Sequence, residues 1–262
     1  MTDPTVLVSR DDRGVATVTL NRPALHNAFD DALIQKLIET FEAVGADPGC
    51  RAVVLAGAGK SFSAGGDLNW MRRMAGYGYA ENVADARELG RLMSTLDRLP
   101  KPTVARVHGS VFAGGLGLVA CCDIAVAEQD TIFCVSEARL GLVPAVISPY
   151  LIRAIGARMA RRYFLTAERF SAVEAYRIGL VHEVVSVAEL DAKVEAIVAA
   201  LLEGGPHSQA RSKRLISEVA ERPVERPVID ITVRTIAEAR ASEEAREGLG
   251  AFFEKRKPKW KE

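Results

Sequence analysis

The chain has 262 residues, 48% of them hydrophobic and 6% aromatic, enough for one large domain or a domain with an appendage. Its 34 Lys and Arg balance its 34 Asp and Glu, so no net field recruits nucleic acid or an anionic membrane surface. The start, Met-Thr-Asp-Pro, lacks the basic and apolar regions of a signal peptide, and no apolar run approaches the roughly 18 residues that span a bilayer. Cys50, Cys121, Cys122 and Cys134 show no C-x-x-C spacing and are expected as buried reduced thiols, which points to the cytoplasm.

Along the chain, residues 6–9 and 15–20 flank Asp11-Asp-Arg-Gly14 and read as a hairpin. Residues 29–44 place Leu33, Leu37 and Phe41 at four-residue spacing, an amphipathic helix with Asn27 and Asp30 as candidate caps. Residues 51–56 read as a buried strand ending in Gly57, and residues 68–99 as one polar helical segment stopping at Pro100. A strand over 103–107, a helix through Cys122 and a strand over 124–127 follow. Alternating strands and helices predict parallel pairing and an α/β layered core. Beyond Ser171 strand signals nearly vanish, apart from residues 180–185. Residues 188–202 read as a helix ending at Gly204-Gly-Pro206, and further helical stretches punctuated by Pro223 and Pro227 run to Lys255. This last part is expected as a helical appendage that packs on its own core or on another subunit.

Two Gly-rich loops stand out, Ser61-Phe-Ser-Ala-Gly-Gly-Asp-Leu68 and His108-Gly-Ser-Val-Phe-Ala-Gly-Gly-Leu-Gly-Leu118. Each follows an apolar strand and opens a helix, so bare backbone N–H groups approach a ligand where the helix dipole favours negative charge. Two such loops can aim two N–H groups at one oxygen and so stabilise an enolate or another oxyanion. Glu137 lies in Phe133-Cys-Val-Ser-Glu-Ala-Arg-Leu-Gly-Leu-Val143, an otherwise largely apolar stretch. A carboxyl there is either solvent-facing or kept for chemistry, and apolar surroundings raise its pKa toward neutrality, where it serves as a proton donor or acceptor.

Competing motifs fail on particular residues. Gly57-Ala-Gly-Lys-Ser61 has the tail of a phosphate-binding loop, but Val54 stands where its first glycine belongs. Gly115-Leu-Gly-Leu-Val-Ala120 fits the loose dinucleotide pattern with Glu137 downstream, yet the linker from the preceding strand is too long for that turn. His26, His108, His182 and His207 share no metal-ligand spacing, so no metal site is expected.

These segments resemble the crotonase, or enoyl-CoA hydratase/isomerase, superfamily. The resemblance runs from Leu20-Asn-Arg-Pro-Ala-Leu-His-Asn-Ala28 through Ser63-Ala-Gly-Gly-Asp-Leu68 and Gly114-Gly115 to Glu247-Gly-Leu-Gly-Ala-Phe-Phe-Glu-Lys-Arg-Lys-Pro258. It implies an α/β fold, a spiral of ββα units over residues 1–200, with a C-terminal helical trimerisation region over 201–262. It implies an acyl-CoA thioester substrate, with coenzyme A as part of that substrate and no separate cofactor, and a homotrimer or dimer of trimers. It carries over Gly66 and Gly114 as oxyanion-hole donors and Glu137 as the catalytic acid–base. Ala24, Leu25, Ala64, Gly65, Asp67 and Leu68 would line the coenzyme A site, and Lys255, Arg256 or Lys257 would reach a phosphate.

The chain departs from the family pattern at Gly117, where hydratases commonly carry the earlier of two glutamates. A single glutamate is the pattern of Δ3,Δ2-enoyl-CoA isomerases. Residues 142–170, however, look like bacterial methylglutaconyl-CoA and isohexenylglutaconyl-CoA hydratases, many of which share that glycine. The resemblance therefore implies hydration of a 2-enoyl-CoA, with isomerisation as the alternative. For a glutaconyl-type substrate, Arg72, Arg73 or Arg153 would pair with the distal carboxylate.

Overall fold

The computed structural model describes residues 4–261. Strands β1 (Val6–Arg10) and β2 (Val15–Leu20) form the expected antiparallel hairpin. It turns at Gly14, where φ is +82° and the Gly49 carbonyl fills the space a side chain would need. Helix α1 (Asp31–Ala46) is capped by Asp30, whose carboxylate accepts the Leu33 N–H at 2.8 Å. Asn27, the other candidate cap, is instead buried and donates its amide to the Ala58 and Ser61 carbonyls.

After β3 (Ala52–Gly57) come α2 (Leu68–Met74) and α3 (Tyr79–Asp97), two helices where the sequence predicted one. Gly76 and Gly78 break the segment, and Gly78 starts α3 by donating its N–H to Glu81 at 2.8 Å. The order continues with β4 (Thr103–Val107), β5 (Ser110–Phe112), α4 (Gly114–Cys121), β6 (Ile124–Glu128), β7 (Ile132–Cys134), a 3-10 turn over Glu137–Leu140, and α5 (Ser148–Thr166). It ends with β8 (Arg169–Ser171), α6 (Ala172–Arg177), β9 (Glu183–Val185), α7 (Leu190–Leu202), α8 (Pro206–Val219), α9 (Arg226–Ala241) and α10 (Glu243–Phe253).

The main sheet has the order β1-β2-β3-β4-β6-β9 and is parallel from β2 onward. Its inner strands β3, β4 and β6 are largely apolar on both faces because both are covered. Val53, Leu55, Ala105 and Val107 point into the large core with Leu33, Leu37 and Phe41 of α1 and Leu92 and Leu96 of α3. The alternate residues Val54, Val104 and Val126 meet Leu190, Val194 and Val198 of α7 on the other side. A second sheet pairs β5 with β7 in parallel and β7 with β8 antiparallel. Its three-residue strands are too short to carry a periodicity, so the sequence pattern does not reveal them.

The last three helices bury little of themselves: Val228 in α9, Ala251 in α10, and nothing in α8. They are tied to the core by Arg51, which donates to the carbonyls of Gly204 at 2.9 Å and Trp260 at 2.7 Å, and by Lys213, 2.9 Å from Asp123. Among the described residues, no helix is long and apolar enough to cross a membrane.

Candidate active site

Three extended segments run side by side and in parallel. Ser63 bridges Val111 of β5, and β5 pairs with β7. The bonds are direct: Ser63 N–H to the Ser110 carbonyl at 3.2 Å, Phe112 N–H to the Ser63 carbonyl at 2.9 Å, and Ala113 N–H to the Cys134 carbonyl at 3.0 Å. The chain leaves all three at the same end. Gly66 follows Ser63 by three residues, Gly114 follows Phe112 by two, and Glu137 follows Cys134 by three. Sites in open α/β sheets form at such carboxyl ends, and here the topology brings together three residues remote in sequence.

In the first loop the Gly65 carbonyl accepts from Phe29 N–H at 2.7 Å, and Asp67 N–H donates to the Phe29 carbonyl at 2.7 Å. Gly65 has φ +91°, and a Cβ there would lie 3.1 Å from that of Ala113 and 3.3 Å from the Phe112 carbonyl. Glycine at 65 therefore lets the two loops touch. Between them Ala113 takes φ +47° and ψ −119°, a conformation that costs alanine about 1–3 kcal/mol and that persists only where the surroundings enforce it. Gly114 is the first residue of α4, where helix N–H groups lack partners within the helix. Among the described residues, neither the Gly66 nor the Gly114 N–H donates to a protein acceptor.

Asp67 holds the far end of the loop. Its Oδ1 accepts from Asn69 N–H at 2.8 Å and Trp70 N–H at 3.2 Å, and its Oδ2 is 3.2 Å from Arg22, which also pairs with Asp30 at 2.9 Å. Burial pushes the Asp67 carboxyl upward, but the two backbone donors and the guanidinium outweigh it and hold the group below its ordinary range.

Glu137 opens the 3-10 turn and is half-buried. Its Oε2 is buried and meets no hydrogen-bond donor among the described residues. Burial pushes its pKa up from the ordinary value, and its own backbone N–H only partly offsets this. A carboxylate so placed is a stronger base than one in water, for want of solvation.

At Gly117 the space for a side chain is already taken. Ile147 Cγ2 occupies it, and Met93 Cε and Sδ stand 3.0 Å from where a Cβ would be. Met71 flanks Gly66 at ordinary contact distance, its Sδ 3.5 Å from the corresponding point. Sequence reasoning missed Met71, Met93, Ile147 and Phe29, since apolar residues at helical spacing read as ordinary core.

The sequence profile described as Enoyl-CoA hydratase/isomerase matches residues 10–262. The chain belongs to the enoyl-CoA hydratase/isomerase family. Similar solved structures include an enoyl-CoA hydratase from Shewanella pealeana, 46% identical with TM-score 0.95, covering 98% of this chain and 96% of that one. An enoyl-CoA hydratase from Mycobacterium smegmatis is 38% identical with TM-score 0.92 over 98% and 99% of the two chains. The crotonyl-CoA hydratase of Syntrophomonas wolfei is 31% identical over 258 residues, 96% of each chain. The fold is thus the α/β crotonase fold, and the protein is an enzyme of the hydratase-like lyase type.

In this family member the residues expected along coenzyme A lie together. Ala24 and Leu25 form a short turn beside the first loop, where Ala64 N–H donates to the His26 carbonyl at 2.9 Å. Leu25 and Leu68 are exposed apolar side chains on that edge. Of the basic residues near the end, Arg256 is engaged by Glu247 at 2.6 Å and Glu254 at 2.7 Å. Arg73 pairs with Asp31 and Arg153 with Asp97, while Arg72 bonds the Asn69 amide oxygen at 3.1 Å. His26 Nδ1 lies 3.0 Å from Ser61 Oγ, and His182 Nδ1 accepts the Ala125 N–H at 3.1 Å. All four cysteines are buried free thiols, and burial pushes Cys122 up to about 12. Among the described residues, no group of three or more His, Cys, Asp or Glu assembles that could hold a metal ion.

Proposed function

We propose that the protein adds water to a 2-enoyl-CoA thioester, with Gly66 and Gly114 as oxyanion donors and Glu137 as the single acid–base. The reading is carried by one observation: a half-buried carboxylate whose Oε2 has no partner among the described residues shares a strand end with two unengaged backbone N–H groups. A thioester oxygen between the two donors takes up negative charge, which makes the β-carbon electrophilic; each such donor is typically worth roughly 3–4 kcal/mol in the transition state. Glu137 takes a proton from water as the water oxygen bonds to the β-carbon. It then returns that proton to the α-carbon as the enolate collapses, so the carboxylate is regenerated. Coenzyme A enters as part of the substrate, along Ala24, Leu25 and residues 64–68.

The second reading is Δ3,Δ2-isomerisation, favoured by the filled space at Gly117. With one carboxyl, Glu137 would carry a proton from the α-carbon of a 3-enoyl thioester to its γ-carbon. A branched glutaconyl-type substrate is the finer form of the hydratase reading. Of the three arginines expected for its distal carboxylate, Arg73 and Arg153 already pair with carboxylates, while Arg72 bonds the Asn69 amide and holds none. We further propose assembly as a homotrimer or dimer of trimers through the C-terminal helices, in the cytoplasm, where buried thiols stay reduced.

The deciding experiment incubates the enzyme in ²H₂O with crotonyl-, 3-methylglutaconyl- and 3-enoyl-CoA, following hydration and double-bond shift separately. Hydration of either 2-enoyl thioester is expected. A double-bond shift without hydration would put the isomerase reading in its place.

A further inference from the structure

We infer that Phe29 is a positioning residue that sets the two oxyanion donors relative to each other, an inference that rests on the reading of Gly66 and Gly114 given above. Phe29 reads in sequence as the first apolar residue of a helix, but α1 begins at Asp31, which leaves Phe29 extended and pairing with Gly66 as a parallel bridge. It is 1% exposed, and it touches both loops.

Its backbone orients the first donor. The Gly65–Gly66 peptide is trans, so its C=O and N–H point in opposite directions. Phe29 N–H draws the Gly65 carbonyl to itself at 2.7 Å, and the Phe29 carbonyl holds Asp67 N–H at 2.7 Å. The Gly66 N–H is thereby turned away from Phe29, toward the side where it has no protein acceptor.

Its ring seats the second donor. A Cβ on Gly114 would lie 3.0 Å from Phe29 Cε2 and 3.2 Å from Cδ2, so the ring packs against Gly114 with no room for a side chain between them. One rigid residue thus fixes the direction of the Gly66 N–H and the approach of the Gly114 N–H, and their spacing follows from its size. Replacing the ring removes the spacer and leaves the backbone pairing in place. Misplacing a group by about 1 Å is enough to cost on the order of 100-fold in rate, and losing one donor costs roughly 10²–10³-fold.

The test compares Phe29→Leu and Phe29→Ala with the unaltered enzyme in two measurements. The first is the split between kcat and KM on the enoyl-CoA substrate. The second is the absorption of bound 4-(dimethylamino)cinnamoyl-CoA, whose band moves to longer wavelength as its thioester carbonyl is polarised. Band position reports only on bound, folded sites, so a partly unfolded preparation lowers the amplitude without moving the maximum. The expected result is a kcat lower by about 10- to 100-fold with KM changed only a few-fold, and a smaller red shift in Phe29→Ala than in Phe29→Leu. A full red shift and full kcat in both variants would overturn the role of Phe29 while leaving the donors assigned. No red shift in the unaltered enzyme would overturn the donor assignment itself, and this inference with it.

Discussion

Ile147 occupies the volume that any side chain on Gly117 would need, although 30 residues separate them and they sit on different elements. Ile147 precedes α5 and is 2% exposed, Gly117 lies one turn into α4, and Met93 of α3 closes the remaining side. Because a helical side chain leans toward the preceding turn, position 117 overlies Gly114. The wall beside Gly114 is therefore apolar, and the carboxyl that the resemblance implies for hydratases at 117 is shut out by the packing as well as by the identity of one residue.

Restoring the carboxyl should accordingly fail. Gly117→Glu forces four side-chain heavy atoms beyond Cβ against Ile147 and Met93, an overpacking that typically costs about 1–3 kcal/mol before the buried charge is counted. Urea denaturation should show the loss, and the same substitution should cost less in an Ile147→Ala background, since contacting sites couple. Equal costs in both backgrounds would mean that Ile147 yields easily and that the wall is soft.

The C-terminal helices make a separate prediction. Ile229, Val233 and Ile236 of α9 and Leu249, Phe252 and Phe253 of α10 are exposed, Phe252 and Phe253 at 76% and 75%. On α9 these residues recur at i, i+4 and i+7, one face of the helix, and exposed apolar residues of this kind are what the proposed subunit contact would cover. Light scattering at micromolar concentration should give three or six times the 28.3 kDa chain mass, and Phe252→Asp with Phe253→Asp should lower it. A monomer before substitution would remove the oligomer proposal.

The two loops and the glutamate proposed as the site were legible in sequence and the residues packed around them were not, for a physical reason. The two Gly-rich loops and Glu137 stand out because glycine doublets and a carboxylate among apolar neighbours have few uses, whereas Gly66 and Gly114 as the particular donors follow only from the family resemblance. The hairpin, the parallel strands and most helices follow from periodicity. Met71, Met93, Ile147 and Phe29 do not, because an apolar residue that lines a site has the same local pattern as one that fills a core. The second sheet is hidden because its strands are three residues long, and the break between α2 and α3 lies at Gly76 and Gly78, which a polar run conceals.

Arg22 should prove essential to stability near the first loop. Its side chain is 15% exposed and faces Asp67 at 8% and Asp30 at 22%, with the Ala28 carbonyl accepting at 2.7 Å. Removing one partner of a buried pair strands the other charge and typically costs about 3–5 kcal/mol. Asp67 titrates below its ordinary range in the folded chain. Its contribution is therefore present above the unfolded-state pKa and is lost as pH falls through the lower folded value. Arg22→Ala takes away part of that depression, so acid unfolding followed by circular dichroism should begin at a higher pH. An unchanged acid transition would show that the backbone donors of Asn69 and Trp70 hold Asp67 without help.

Glu137 links activity and stability with opposite signs. As a general base it must be ionised, so kcat/KM should fall on the acid side at a pH above that of an ordinary carboxylate, because burial raises its pKa. Glu137→Gln should lower kcat by about 10²–10⁴-fold while thioester binding is retained. For stability, a carboxyl whose folded pKa lies above its unfolded one favours folding most when protonated. That contribution is present below the unfolded pKa and is lost as pH rises through the folded value. At pH 8 the ionised, unpartnered Oε2 is thus a cost that glutamine does not carry. Thermal melting should therefore place Glu137→Gln above the unaltered enzyme at pH 8, with the gap closing toward pH 4 as Glu137 takes up its proton. Catalytic groups held in unfavourable surroundings commonly trade stability for activity in this way. A variant less stable at pH 8 would mean that the carboxylate has a favourable partner in solution, and full activity in the variant would remove Glu137 from the chemistry.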